Sequence, residues 1–205
     1  MKFRHKLTVL TAVSLAVGLC ATAVWGAHRT QERLAEKLIR LHVIANSDSE
    51  ADQALKIQVR DAILREAEEI LTVCADLDEA EEQLGAALDR MAAAAEETVA
   101  RAGYAYPVSA ALSFERYPTR EYASFKLPAG RYLSLRITIG AGEGRNWWCV
   151  VFPPLCLASV SEQSVESAAE GVLSDDQVAL ITGQDGGYVL KFRLVEWWQE
   201  LTGGK

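Results

Sequence analysis

Apolar residues are spaced in three different ways along the chain. An apolar run without Asp, Glu, Lys or Arg extends from Leu7 to Trp25. Further along, apolar residues recur every three or four positions, which is the period of a helix, and later they alternate with polar ones, which is the period of a strand. Helices first and strands mostly later predict an α+β fold, with a helical first half packed on a mainly antiparallel sheet.

A strand and a capped helix open the folded part. The segment from Leu38 to Ile44 is rich in Leu, Ile and Val and places its odd-numbered apolar residues on one face, which predicts a strand. Polar residues follow, and Ser49 with Asp52 three positions later is typical of a helix N-terminus. This helix is expected to end near Leu71.

A second helix and three strands are predicted next. Ala, Glu and Leu dominate the segment from Leu77 to Ala102, which predicts one continuous helix ended by Gly103. Alternation then predicts strands at 108–115, 132–139 and 147–152. We expect the last two strands to pair with each other across the turn at 140–146.

The strand 147–152 is apolar on both faces, so each face needs either a cover or a partner. The helical first half is expected to cover one face. Two further helices are predicted near 175–181 and 191–201, and the second cover is expected from the latter.

The N-terminal apolar run indicates export. Lys2, Arg4 and Lys6 precede it, which is the basic-then-apolar order of a secretory signal. Its length is also close to the roughly 20 residues that span a bilayer core, so a retained anchor is the alternative. Small residues at 21–23 favour cleavage. We therefore divide the chain into residues 1–27, a signal peptide or membrane anchor, and residues 28–205, a single globular domain.

Charge limits the classes of partner. The whole chain has a net charge of −7, and a product cut after Ala23 has −10 because three basic residues are lost. Nucleic acids and anionic membranes attract basic proteins, so neither is expected to bind this body. A protein partner or a small ligand stays open, with membrane contact only through an uncleaved N-terminal segment.

Candidate chemistry is sparse. His42 is the one histidine away from the export segment, and a lone strand histidine is typical of a structural residue. The glycines of 140–144 precede a strand rather than a helix, so a mobile turn is favoured over a phosphate loop. Residues 46–52 lack the spacing of a calcium loop. The sequence predicts no catalytic residue, metal or cofactor, and the protein is not expected to be an enzyme.

Cys149 and Cys156 are close enough in the sequence to form a disulfide across a turn, and export would permit oxidation. Two small buried thiols are the equally acceptable alternative. The pattern does not choose between them.

Two stretches are long and chemically unusual. They are IRLHVIANSDSEADQALKIQVRD at 39–61 and GRNWWCVVFPPLC at 144–156. Both closely resemble the stage II sporulation protein R family of endospore-forming bacteria, and the resemblance covers most of the chain from Leu38 to Cys156.

The resemblance implies a signal rather than a catalyst. Members of this family are made in the forespore and exported into the space between the forespore and mother-cell membranes. They are thought to activate a membrane-embedded aspartic protease of the mother-cell membrane, which removes the pro-segment of pro-sigma-E. The alternative function is a cell-wall-binding domain or wall-associated hydrolase, with Trp147 and Trp148 stacking on sugars.

Residues for a protein partner are expected within the two stretches. Because Asp52, Lys56 and Arg60 are spaced by four, they are expected to share one exposed side of a helix and to pair along it. Adjacent tryptophans on a strand point to opposite faces, so one is expected in the core and the other exposed as an anchor. The candidate partner-binding residues are Asn46, Asp48, Asp52, Lys56, Arg60, Trp147 and Trp148.

Overall fold

The computed structural model describes residues 29–158 and 162–183, together with a few isolated positions before residue 29. The expected export segment lies almost entirely outside the described residues, and so does the expected helix at 191–201. Within the described part, none of the helices has both the length and the hydropathy needed to cross a bilayer.

A four-stranded mixed sheet forms the centre of the fold. Its strands stand in the order β2 (Val108–Tyr117), β5 (Gly130–Ile139), β1 (Ile39–Ile44) and β6 (Asn146–Phe152). Only β1 and β5 run parallel, whereas β2 and β6 are antiparallel to their neighbours. A separate small hairpin joins β3 (Arg120–Glu121) and β4 (Lys126–Leu127). The α+β class with a mainly antiparallel sheet is therefore confirmed.

The predicted pairing of β6 with β5 is wrong, because β1 lies between them. Val43 pairs with Ile137 of β5 on one side and with Trp147 of β6 on the other. A strand buried in the sheet needs partners for its backbone groups along both edges. The position between β5 and β6 gives β1 those partners. The 140–146 turn connects β5 to β6 and passes the end of β1.

The helices are α1 (described at 29–35), α2 (Glu50–Leu71), α3 (Leu77–Ala86), α4 (Leu88–Arg101), α5 (Leu155–Ala158), α6 (Glu162–Ala169) and α7 (Asp175–Thr182). The continuous helix predicted from Leu77 to Ala102 is wrong, since it is interrupted at Ala87. Gly85 weakens the helix just before this point. The interruption lets α3 and α4 each bury their own apolar residues against the core.

One face of the sheet is covered by helices, and the other is covered in part. One face packs against α2, α3 and α4, with Leu55, Val59, Met91 and Ala95 in the shared core. The opposite face is only half covered, by a second cluster whose cover comes from α1, the β3–β4 hairpin, α5, α6 and α7. This second cover therefore exists within the described residues, and the expectation that only a last helix would supply it is wrong.

Candidate functional site

The turn between β1 and α2 is built around the carboxylate of Asp52. Ser49 caps α2 as predicted, because its Oγ accepts a hydrogen bond from the Asp52 backbone N–H at 3.1 Å. The Asp52 carboxylate is buried and turns back to accept from Asn46 Nδ2 at 2.9 Å and from Ser47 Oγ at 2.6 Å. One side chain thus fixes both the helix start and the turn before it.

These hydrogen bonds change the acidity of Asp52. The bond from Ser47, followed by that from Asn46, lowers the pKa of Asp52 below its ordinary value, and burial opposes the shift without cancelling it. The pKa of the neighbouring Tyr106 hydroxyl is raised, first by burial and then by the negative charge of Asp52. Asp52 is accordingly ionised in the folded protein at neutral pH.

The 140–146 turn is tied to the β1–α2 turn along its length. Ala141 N donates to Asn46 Oδ1 at 3.0 Å, Gly144 N to Ala45 O at 2.9 Å, and Arg145 N to Asp48 Oδ1 at 2.7 Å. We call residues 45–49 and 140–146 the loop pair. The two stretches that carried the family resemblance therefore meet at the loop pair.

Glycines allow this close approach. Gly140 has a φ of +58°, and a Cβ there would overlap the Asn46 side chain. At Gly144 a Cβ would overlap the backbone carbonyl of Ser47. The expected mobile turn is in the structure a turn held by hydrogen bonds to its neighbour.

Lys56 of α2 stabilises the loop pair from its buried side. Its side chain is buried, and Nζ donates to Gln53 Oε1 at 2.7 Å and to the carbonyl oxygen of Arg145 at 2.8 Å. Burial, followed by repulsion from the Arg145 charge, lowers the pKa of Lys56. The expectation of an exposed row of ion pairs along α2 is thus wrong, because Asp52 and Lys56 both point inward.

Arg60 and Trp147 form a corner beside the loop pair. The Arg60 guanidinium lies 4.3 Å from the centre of a Trp147 ring and bonds to Asp61 at 2.6 Å. Trp147 is half-buried against the helix-covered core, and its buried Nε1 finds no acceptor among the described residues. Arg60 therefore shields an indole that the core covers only in part.

Trp148 occupies the opposite face of the sheet. Arg120 stacks over it at 3.6 Å, and His42 lies 5.6 Å away between ring centres. Trp148 is also half-buried, so the expected division into one core and one exposed tryptophan is wrong. Both faces of β6 take part in packing, and each indole has an arginine over it.

Part of this opposite sheet face is open to solvent. Two cross-strand rows next to the loop pair keep partly or fully exposed members: Ser109, Thr138, Ile44 and Asn146 in the first, and Ala111, Arg136, His42 and Trp148 in the second. We call these eight residues the open half-face. In the third row Ser134, Arg40 and Val150 are fully buried, and the edge member Ser113 is exposed.

His42 sits in a polar network on the open half-face. Its Nδ1 and Nε2 lie 3.0 Å from Glu115 Oε2 and 3.0 Å from Asn146 Oδ1, and Glu115 also forms an ion pair with Arg136. Burial opposes ionisation of Glu115, but hydrogen bonds from Ser134 and His42 and the Arg136 charge prevail and lower its pKa. The network leaves His42 with both ring nitrogens engaged, as in a structural histidine.

Cys149 does not join His42 in a reactive pair. It points to the helix-covered face, whereas His42 points to the other, and its sulfur is bonded to Cys156. The bridge connects β6 to α5 with a Cα–Cα distance of 5.5 Å. Within residues 29–158 and 162–183, no group of three or more His, Cys, Asp or Glu side chains is placed to hold a metal ion.

The amino-acid sequence is similar to those of known proteins. A family model described as stage II sporulation protein R matches residues 35–162. The stage II sporulation protein R of Bacillus subtilis (strain 168) is 34% identical over 183 residues, which is 81% of this chain and 82% of that protein. The chain belongs to the stage II sporulation protein R family. No solved structure matches it.

Membership of the stage II sporulation protein R family gives the chain a role in sporulation. The range matched by the family model contains the loop pair and every candidate partner-binding residue. Sequence reasoning missed Arg145, although this residue lies within the second unusual stretch, two positions before Trp147. It also missed Arg120, for which no local signal exists, because its place over Trp148 depends on the β3–β4 hairpin.

Proposed function

We propose that this protein is an exported intercellular signal of endospore formation. In this proposal it acts in the space between the forespore and mother-cell membranes, where it activates a membrane-embedded aspartic protease of the mother-cell membrane. The protease then removes the pro-segment of pro-sigma-E in the mother cell. The protein contributes a binding surface, and the protease contributes the chemistry.

The loop pair carries this proposal. Its hydrogen bonds hold together two turns that are far apart in the sequence. The bond from Arg145 N to Asp48 Oδ1, for example, joins residues 97 positions apart. A loop that is already ordered pays less conformational entropy on association, which favours a binding surface that does not rearrange. The inward polar groups, Asp52 and Lys56, support the surface rather than contact the partner.

The outward side chains at the loop pair are free to meet a partner. Asp48 and Arg145 lie 3.5 Å apart and are 63% and 71% exposed. An ion pair as exposed as this one contributes little to folding, typically about 0–1 kcal/mol. We therefore assign Asp48 and Arg145 to partner recognition, and we add the partly exposed Arg60–Trp147 corner because it lies beside the loop pair.

Co-expression tests the proposal. The chain is produced with the protease and its pro-sigma substrate in a non-sporulating host, and processing is scored. Arg145→Ala is expected to reduce processing with little change in melting temperature. Arg101→Ala is the matched control, because Arg101 is 69% exposed and pairs with Glu97 on α4, away from the loop pair. Equal processing by both variants would remove the loop pair from the interface, and no processing by the wild type would refute the proposed function.

The tryptophans give a second comparison within the same assay. Each is half-buried, so Trp147→Ala and Trp148→Ala are expected to cost less than the roughly 3–5 kcal/mol of a fully buried aromatic residue. Trp147→Ala also removes the aromatic half of the Arg60–Trp147 corner, and it is expected to reduce processing per folded molecule more than Trp148→Ala. Similar losses for both variants, after correction for the folded fraction, would contradict a special role for Trp147.

Wall binding is the alternative that the same protein can test. Sugar stacking needs an uncovered indole face, whereas Arg60 lies over Trp147 and Arg120 over Trp148. Purified protein is therefore expected to stay in solution when it is mixed with isolated cell wall and the wall is pelleted. Retention on wall material without any membrane protein would favour the wall-binding alternative.

A further inference from the structure

The outer edge of β2 is an unpaired strand edge. β2 stands at the end of the sheet and pairs with β5 on one side only, over ten residues and without a register shift. Strands at sheet edges are usually protected by charges, prolines, bulges or a covering element, since their free backbone groups attract other strands. We propose that this edge receives an extended strand from a protein partner.

The register shows which backbone groups are free. Gly140 N donates to Pro107 O at 2.8 Å, and residue pairs then follow in register from Val108 with Ile139. In an antiparallel pair, alternate residues direct both backbone groups to the neighbouring strand. Odd-numbered residues of β2 therefore bond to β5, and even-numbered residues point outward. The outward N–H of Val108, which donates to Glu96 Oε1 at 3.5 Å, agrees with this assignment.

The outward positions beyond Val108 lack this protection. Ala110, Leu112 and Phe114 direct N–H and C=O groups away from the sheet, and these groups have no hydrogen-bond partner in the described part of the chain. No charged residue, proline or glycine occurs from Val108 to Phe114. Three consecutive outward residues offer the main-chain donors and acceptors that strand addition uses.

Side chains along the edge also suit an added strand. Phe114 is 56% exposed, with Arg131 4.8 Å from its ring centre. A neighbouring strand would cover this ring by cross-strand contact. On the other face Ser109, Ala111 and Ser113 are small and exposed, so they leave room beside the edge.

Charge distinguishes a partner from a second copy of the chain. Glu96 of α4 lies beside the start of β2, and α3 carries four further acids and no base. Two copies joined edge to edge would bring these acidic helices together, and like charges would repel. The fitting occupant is therefore an extended, uncharged or basic segment of another protein. That this protein is the protease rests on the proposed function.

Proline substitution tests the edge with a matched control. Ala110→Pro removes an outward N–H and no bond to β5, so it is expected to fold, because edge positions tolerate proline. Ala110→Val keeps the N–H in a residue that favours strands. In the co-expression assay we expect processing to fall at least about tenfold for Ala110→Pro, the effect of losing an interface hot spot, and to stay at the wild-type rate for Ala110→Val. Ala111→Pro, which removes a bond to β5, is expected to unfold the protein.

The outcomes separate the two proposals. Wild-type processing by a folded Ala110→Pro overturns the edge proposal and leaves the proposed function intact, whereas inactive wild-type protein refutes the proposed function itself. If Ala110→Pro does not fold, hydrogen exchange of the wild-type protein decides: the amides of Leu112 and Phe114 are expected to slow when membranes containing the protease are added. Unchanged exchange overturns the proposal, and so does a wild-type dimer that protects the same amides without the protease.

Discussion

Replacement of Asp52 by Asn tests the structural centre of the loop pair. The carboxylate accepts two hydrogen bonds, from Asn46 Nδ2 and Ser47 Oγ, in a buried position. Hydrogen bonds to a charged group contribute about 1.5–3 kcal/mol each. An asparagine at this position keeps one acceptor oxygen, but its NH2 group would face the Asn46 and Ser47 donors. We expect Asp52→Asn to lower the free energy of unfolding by about 2–4 kcal/mol at pH 7.

The effect of pH has a definite sign. The folded-state pKa of Asp52 lies below its ordinary value of 3.8. Its ionised form therefore contributes its full stability above that ordinary value, and the contribution is lost as the pH falls toward the lowered pKa. The difference between wild type and Asp52→Asn is expected to be constant from pH 7 to about pH 5 and to shrink below about pH 4.

Urea unfolding followed by circular dichroism between pH 3 and 7 measures both effects. Asp61→Asn is the control on the same helix, since Asp61 is 48% exposed and pairs with Arg60. It is expected to cost less than about 1 kcal/mol. Hydrogen exchange at the amide of Ala141 should also quicken in Asp52→Asn, because Asn46 loses its anchor. An Asp52→Asn protein as stable as wild type at pH 7, with the same pH profile, would refute the account of the loop pair.

Two further predictions concern backbone packing and the disulfide. Gly144→Ala is expected to lower the melting temperature, because the new Cβ would overlap the Ser47 carbonyl. Gly85→Ala has open space in α3 and is expected to stabilise the protein by about 0.5–1 kcal/mol. Calorimetry measures both variants, and shifts of the same sign would contradict the packing argument. Replacing both Cys149 and Cys156 by Ala is expected to cost about 2–3 kcal/mol, because the bridge closes a loop of only seven residues' separation. Unchanged unfolding of that double variant under oxidising conditions would show that the bridge does not stabilise the fold.

The sequence alone determined the elements whose signals are local. The alternation in β1, the Ser49 cap of α2 and the alternation in β2 and β5 each depend on residues a few positions apart, and all of these elements occur. The two unusual stretches also meet in the structure, since both contribute to the loop pair. Local spacing is sufficient for such features because caps and amphipathic faces are set by neighbours along the chain.

Only the tertiary structure decided the pairing and the burial. Nothing within β6 shows that β1 separates it from β5, and nothing within α2 shows that Lys56 points inward. The carbonyl that receives Lys56 Nζ belongs to Arg145, 89 residues away in the sequence. A lysine at a helical polar position is exposed unless a distant backbone group meets it, and such a meeting depends on the packing of the whole domain rather than on any local pattern.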